Sequence, residues 1–109
     1  MSPEQHAQFI SDFATDYAQS KAQRIKFELK LKTLKAFLMS EALKNGEKTS
    51  SSQERVALCD PLYSETINEL VESIEKEETL KLQLQSSELQ IAIWRTREAS
   101  ERLAIRTHE

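Results

Sequence analysis

At 109 residues the chain has the length of one ordinary domain and is too short for two separate hydrophobic cores. Its 15 Lys and Arg against 18 Asp and Glu give a formal net charge of -3, which excludes nucleic-acid binding by bulk positive charge and leaves room only for a local contact. A single cysteine, Cys59, excludes an internal disulfide. With no apolar leader, and with Ile91 to Trp94 as the most apolar run, the expectation is a cytoplasmic protein without a membrane span.

One Gly and two Pro leave few places for the chain to turn, so long helices follow. Ser2-Pro3-Glu4-Gln5 reads as a helix start, with Ser2 as N-cap, Pro3 at the first helical position and Gln5 completing a capping box. Nothing breaks the chain until Asn45-Gly46, a left-handed stop preceded by Lys44 at the negative end of the helix dipole. The first helix is therefore expected over about 3–44. A polar loop over 45–51 leads to a second capping box, Ser51 with Glu54, which predicts a short helix over 52–59. Asp60-Pro61 repeats the cap-plus-proline device and starts a third helix that meets no Gly or Pro to about residue 106.

The apolar spacing suggests how these helices pair. Ile10, Phe13, Tyr17, Phe27, Leu31, Leu34 and Leu38 follow an alternating three-four spacing, interrupted by Ser20 and Arg24. On the third helix Tyr63, Ile67, Leu70 and Ile74 do the same, and Leu80, Leu84, Ile91 and Trp94 resume about one position out of step after the charged stretch 75–78. Neither segment shows the period-two alternation of a strand. The fold class is all-α: two long antiparallel helices in a coiled-coil-like hairpin, joined by a short connecting helix, within one helical domain over 1–109.

Charge supports the hairpin. Lys21, Arg24, Lys26, Lys30, Lys32 and Lys35 form a basic run, whereas Asp60 to Glu78 is strongly acidic. A fold-back about residues 45–60 sets residue i of the first helix level with residue 105 minus i of the third. The basic run then faces 70–84, and Arg95 and Arg97 lie beside Asp12. The same six cations are also candidates to track a phosphate backbone, with Arg95 and Arg97 as a second group beside Trp94. Phe9, Ile25, Leu29 and Ile93 lie off the seams and, with Trp94, are candidates for a protein interface.

No catalytic or metal constellation emerges, and no cofactor or small-molecule substrate is expected. His6 and His108 lie near opposite ends and lack a third ligand. Cys59 reads as a small apolar contact, and one glycine cannot build a phosphate loop.

The stretch Ser51-Ser52-Gln53-Glu54-Arg55-Val56-Ala57-Leu58-Cys59-Asp60-Pro61-Leu62-Tyr63, followed by a long helix through Trp94-Arg95-Thr96-Arg97-Glu98-Ala99-Ser100-Glu101-Arg102, resembles small helical proteins of phage recombination modules. It is loosely similar to phage recombination mediators of the UvsY type, over about residues 20–106. The resemblance implies a self-assembling protein in the bacterial host cell that binds single-stranded DNA and helps load a recombinase. By position it would make the basic run DNA-facing and set Trp94, Arg95 and Arg97 toward assembly or DNA. The competing expectation is a protein-binding inhibitor or adaptor, for instance an anti-defence protein, acting through its acidic helix without DNA. A purely structural coiled-coil dimer is a third reading. Each carries the expectation of at least a dimer, because two helices leave one side of each seam uncovered.

Overall fold

A computed structural model describes residues 1–108, the last without its side chain. Three helices follow in order: α1 over Pro3–Lys44, α2 over Ser50–Leu58 and α3 over Pro61–His108, with no strand among the described residues. The chain is a helical hairpin with a short connecting helix, as the scarcity of Gly and Pro requires.

Both ends of α1 and α2 and the start of α3 are closed by nearby residues. The Ser2 hydroxyl accepts from the Gln5 N–H at 3.2 Å while the Gln5 side chain accepts from the Ser2 N–H at 2.7 Å, a reciprocal capping box. At the other end of α1, Gly46 takes φ +105°, and the N–H groups of Glu47 and Gly46 bond back to the carbonyls of Ala42 and Leu43. This is a Schellman stop, and Gly46 fits because it has no Cβ to strain in the left-handed region. The N-cap of α2 is Thr49, not Ser51: its hydroxyl accepts from the Ser52 N–H at 3.1 Å, so the helix starts at Ser50 and Cys59 becomes its C-cap. Several hydroxyl residues in a row make the capping position hard to place by residue type. Asp60 caps α3 through its carboxylate, which accepts from the Leu62 N–H at 2.8 Å.

The contacts group the chain into two units, Gln19–Glu77 and Met1–Ala18 with Glu78–Glu109. Within the first, α1 and α3 run antiparallel: Arg24 meets Glu77 and Lys30 meets Glu69. The expected register placed these two residues level with 81 and 75, so the pairing lies four to six residues, between one and two turns, nearer the start of α3. The displacement arises because α3 begins beside the last turns of α1, not beyond them. Leu38, Glu41 and Ala42 share one hollow with Val56 of α2 and with Asp60. A nine-residue helix such as α2 is marginal alone. It is fastened by fully buried Ala57, by Lys35 to Glu54 at 2.9 Å and by the Gln53 amide donating to the Glu47 carbonyl at 3.0 Å.

The seam of α1 runs through Ile10, Phe13, Tyr17, Ser20, Arg24, Phe27, Leu31, Leu34 and Leu38, all buried or half-buried. Ser20 and Arg24 are thus members of the seam, not gaps in it. On α3 Glu69 and Glu98 are half-buried as well, and the seam positions, all buried or half-buried, are Tyr63, Thr66, Leu70, Ser73, Glu77, Leu80, Leu84, Ser87 and Ile91. From Thr66 onward they keep an alternating four-three spacing without a slip. The expected shift across 75–78 does not occur. Ile67 and Ile74 lie on a flank at 37% and 38% exposure, while polar Thr66, Ser73, Glu77 and Ser87 take the seam.

Candidate interaction surfaces

In the unit Gln19–Glu77, half of the expected basic surface is committed to intramolecular pairs. Arg24 donates to both Glu77 and Glu28, the latter at 2.8 Å, and these hydrogen bonds hold its guanidinium above the ordinary arginine range. Lys35 bonds Glu54 at 2.9 Å, which raises its ammonium above the usual lysine value. Lys30 reaches Glu69 at 3.4 Å and also stands 5.8 Å over the Phe27 ring, within cation–π range. Lys21, Lys26 and Lys32 are exposed and hold no ion pair among the described residues. Helical periodicity sets Lys21 and Lys32 on one flank and Lys26 on another, so the free cations do not form one track.

The outer face of α1 carries Ile25 and Leu29 at 42% and 58% exposure. On α3, Ile67, Val71 and Ile74 line an apolar flank. The sequence pattern hides this flank, because it assigns Ile67 and Ile74 to the seam. The signal that finds it is the unbroken spacing 66, 70, 73, 77, 80, 84, 87, 91, which ignores polarity.

In the unit Met1–Ala18 with Glu78–Glu109, Phe9 is half-buried and stacks on Phe13, ring centroids 4.5 Å apart. It differs in this from a freely exposed interface residue, because the two rings are one helical turn apart and cover each other. His6 Nδ1 lies 3.3 Å from the Ser87 hydroxyl, which sets the first turns of α1 level with Ser87. Ile91 is half-buried, and beyond it α3 continues with Ile93 and Trp94 at 37% and 38% exposure and with Leu103 and Ile105 more exposed still. Trp94, expected on the packed seam, is therefore an exposed residue. Arg95 and Arg97, expected beside Asp12, lie past the capped start of α1, are exposed and hold no ion pair among the described residues. Within this unit the pairing of His6 with Ser87 leaves Trp94, Arg95 and Arg97 beyond the first turn of α1.

Cys59 is exposed at the end of α2, where Ala57 takes the buried position instead. The His108 side chain lies outside the described residues. Among the described residues, no three His, Cys, Asp or Glu side chains converge as a metal site would require, and no helix is long and apolar enough to cross a membrane. No protein-family model, curated protein or solved structure matches this chain.

Proposed function

We propose that this protein is a non-enzymatic, self-associating helical adaptor that works by presenting the outer faces of its helices to protein partners, a second copy of itself among them. The observation that carries this reading is the imbalance of apolar burial. Leu38, Ala42 and Ala57 are the buried apolar side chains, whereas Ile25, Leu29, Phe37, Val71, Leu89 and Leu103 are among many large ones left exposed. The chain exposes 8191 Å². A compact monomer of 12.6 kDa exposes about 6,200 Å². An excess of roughly 2,000 Å² is of the order that homodimer interfaces cover. Light scattering at tens of micromolar tests the proposal: a dimer or larger species supports it, and a monomer rejects it.

A second reading, the phage-type recombination accessory that binds single-stranded DNA and a recombinase, draws on the cations left without an ion pair. Lys21, Lys26, Lys32, Arg95 and Arg97 are exposed, as is Trp94, which precedes the two arginines in the sequence. Exposed cations with an aromatic ring are what sequence-tolerant strand binding uses. Fluorescence anisotropy of a labelled single-stranded oligonucleotide separates the two readings. Binding that weakens with salt and is lost on reversing Lys21, Lys26 and Lys32 supports the DNA role. No binding at low salt rejects it.

A further inference from the structure

The chain's asparagines, Asn45 and Asn68, sit in opposite settings. Asn68 lies inside α3 and is followed by Glu69, where the helical ladder holds the backbone on both sides. Asn45 is followed by Gly46 at the stop of α1, and both are exposed. Gly46 has no side chain to crowd its own backbone nitrogen, and no neighbouring atom lies within 4 Å of where one would begin. That nitrogen and the side-chain carbonyl carbon of Asn45 can close a five-membered ring, and a partner held this close within one chain acts at a very high effective concentration. The stop itself stands in the way. The Gly46 N–H donates to the Leu43 carbonyl at 3.2 Å, and the Asn45 N–H is shared between the carbonyls of Glu41 and Ala42, both at 3.1 Å. These bonds fix the peptide that has to turn before the ring can form.

We infer that Asn45 is a self-modification site, which loses its side-chain amide to its own backbone at a rate set by local opening of the α1 stop. In the opened stop the Gly46 nitrogen attacks the Asn45 Cγ. The new N–Cγ bond replaces the Cγ–Nδ2 bond, the amide nitrogen leaves as ammonia with the proton of the Gly46 N–H, and a cyclic imide remains. Water then adds to one of the two imide carbonyls and opens the ring, giving aspartate or isoaspartate at position 45. The new negative charge falls where the fold tolerates it poorly. The carboxyl end of α1 is the negative end of its dipole. Asn45 also lines one hollow with Glu41, Glu47 and Asp60, all three half-buried, and Asp60 is the cap of α3. The isoaspartate form additionally lengthens by one carbon the backbone of the turn that joins α1 to α2. The conversion runs one way, so this turn passes with time from a closed form to a weaker one, whether or not the chain self-associates.

Peptide mass spectrometry of the full chain, incubated at mildly alkaline pH and sampled over days, tests the site and its control. The segment holding Asn45 is expected to show the mass change of amide to acid and to separate into aspartate and isoaspartate forms, while Asn68 keeps its amide. In urea, where no stop exists, the conversion is expected to run faster by about tenfold or more. Gly46→Ala, compared with wild type in urea so that folding plays no part, slows it because a methyl group crowds the attacking nitrogen. Asn45→Asp, which supplies the charge alone, lowers the urea midpoint of the folded protein. A folded sample whose Asn45 stays intact long after the urea sample has converted fully overturns the site. Equal rates in the folded and urea samples overturn its control by the stop. An Asn45→Asp midpoint equal to or above that of wild type overturns the cost to the fold.

Discussion

At the level of single residues, the polar members of the seam shape this fold more than its few buried apolar ones. Ser20 is 4% exposed and its hydroxyl has no hydrogen-bond partner among the described residues, so burial strips its water without replacement. Ser20→Ala removes that penalty and substitutes a better helix former, and it is expected to stabilise the protein by about 0.5–1.5 kcal/mol. A urea midpoint moving upward with unchanged m-value would bear this out, and a downward shift would contradict it. Arg24 and Glu77 show the opposite logic. Glu77 is tolerable in the seam because Arg24 is there, and Glu77→Leu leaves the half-buried guanidinium with Glu28 alone and lowers the melting temperature. Arg24→Leu/Glu77→Leu removes both charges and restores the melting temperature to the wild-type value or higher. A double variant less stable than either single one would show that the pair stabilises the hairpin outright. None of these polar positions was legible from residue type, since a seam is sought among apolar side chains. The unbroken seven-residue spacing held the information.

Among the elements, the stops and starts decide the hairpin, and they were the most legible feature of the sequence. Ser2-Pro3, Asn45-Gly46 and Asp60-Pro61 each act locally through bonds within a few residues, so neighbouring sequence suffices to place them. Thr49 eluded that reasoning because Ser50, Ser51 and Ser52 offer the same hydroxyl chemistry, and only the backbone angles of Thr49, φ -102° and ψ 151°, single it out. Gly46→Ala places a Cβ in the left-handed region, where nothing crowds it but its own backbone resists, and should cost about 1 kcal/mol. A thermal midpoint equal to wild type would mean that the α1 stop relaxes to another geometry. The link from Lys35 to Glu54, which ties α2 to α1, is lost at high pH as the lysine gives up its proton. Its hydrogen bond raises the lysine value in the folded state, so its contribution is fully present below the unfolded value of about 10.4 and is lost as pH rises through the folded value. The difference in urea midpoint between wild type and Lys35→Ala should therefore be constant from pH 6 to about 9 and shrink above about 10. A difference unchanged above about pH 11 would mean that the ammonium charge of Lys35 does not fasten α2.

For the molecule as a whole, the helical hairpin was legible because so few residues can turn the chain. The register was not. It depends on where α3 starts relative to the last turns of α1, which the packing of Ala57, Leu38 and Ala42 decides and no local signal reports. In the unit Met1–Ala18 with Glu78–Glu109 the first turns of α1 stand level with Ser87, so Trp94, Arg95 and Arg97, expected on seam and flank positions, are exposed. Of the partners expected within 70–84, Arg24 finds Glu77 there while Lys30 reaches Glu69 just outside, because acidic residues are frequent enough on α3 for a basic run to find them in either register. The surfaces left open by this geometry are apolar as well as charged, and in the proposed assembly another copy of the chain covers part of them.

Thermal unfolding followed by circular dichroism across a hundredfold range of protein concentration is the sharpest check on that assembly, because a fold completed by association is stabilised by mass action. The midpoint is expected to rise steadily with concentration, with a single cooperative loss of helix. A midpoint independent of concentration, with full helicity kept at the lowest concentration, would mean that the hairpin is complete as a monomer and that no second copy covers its open faces.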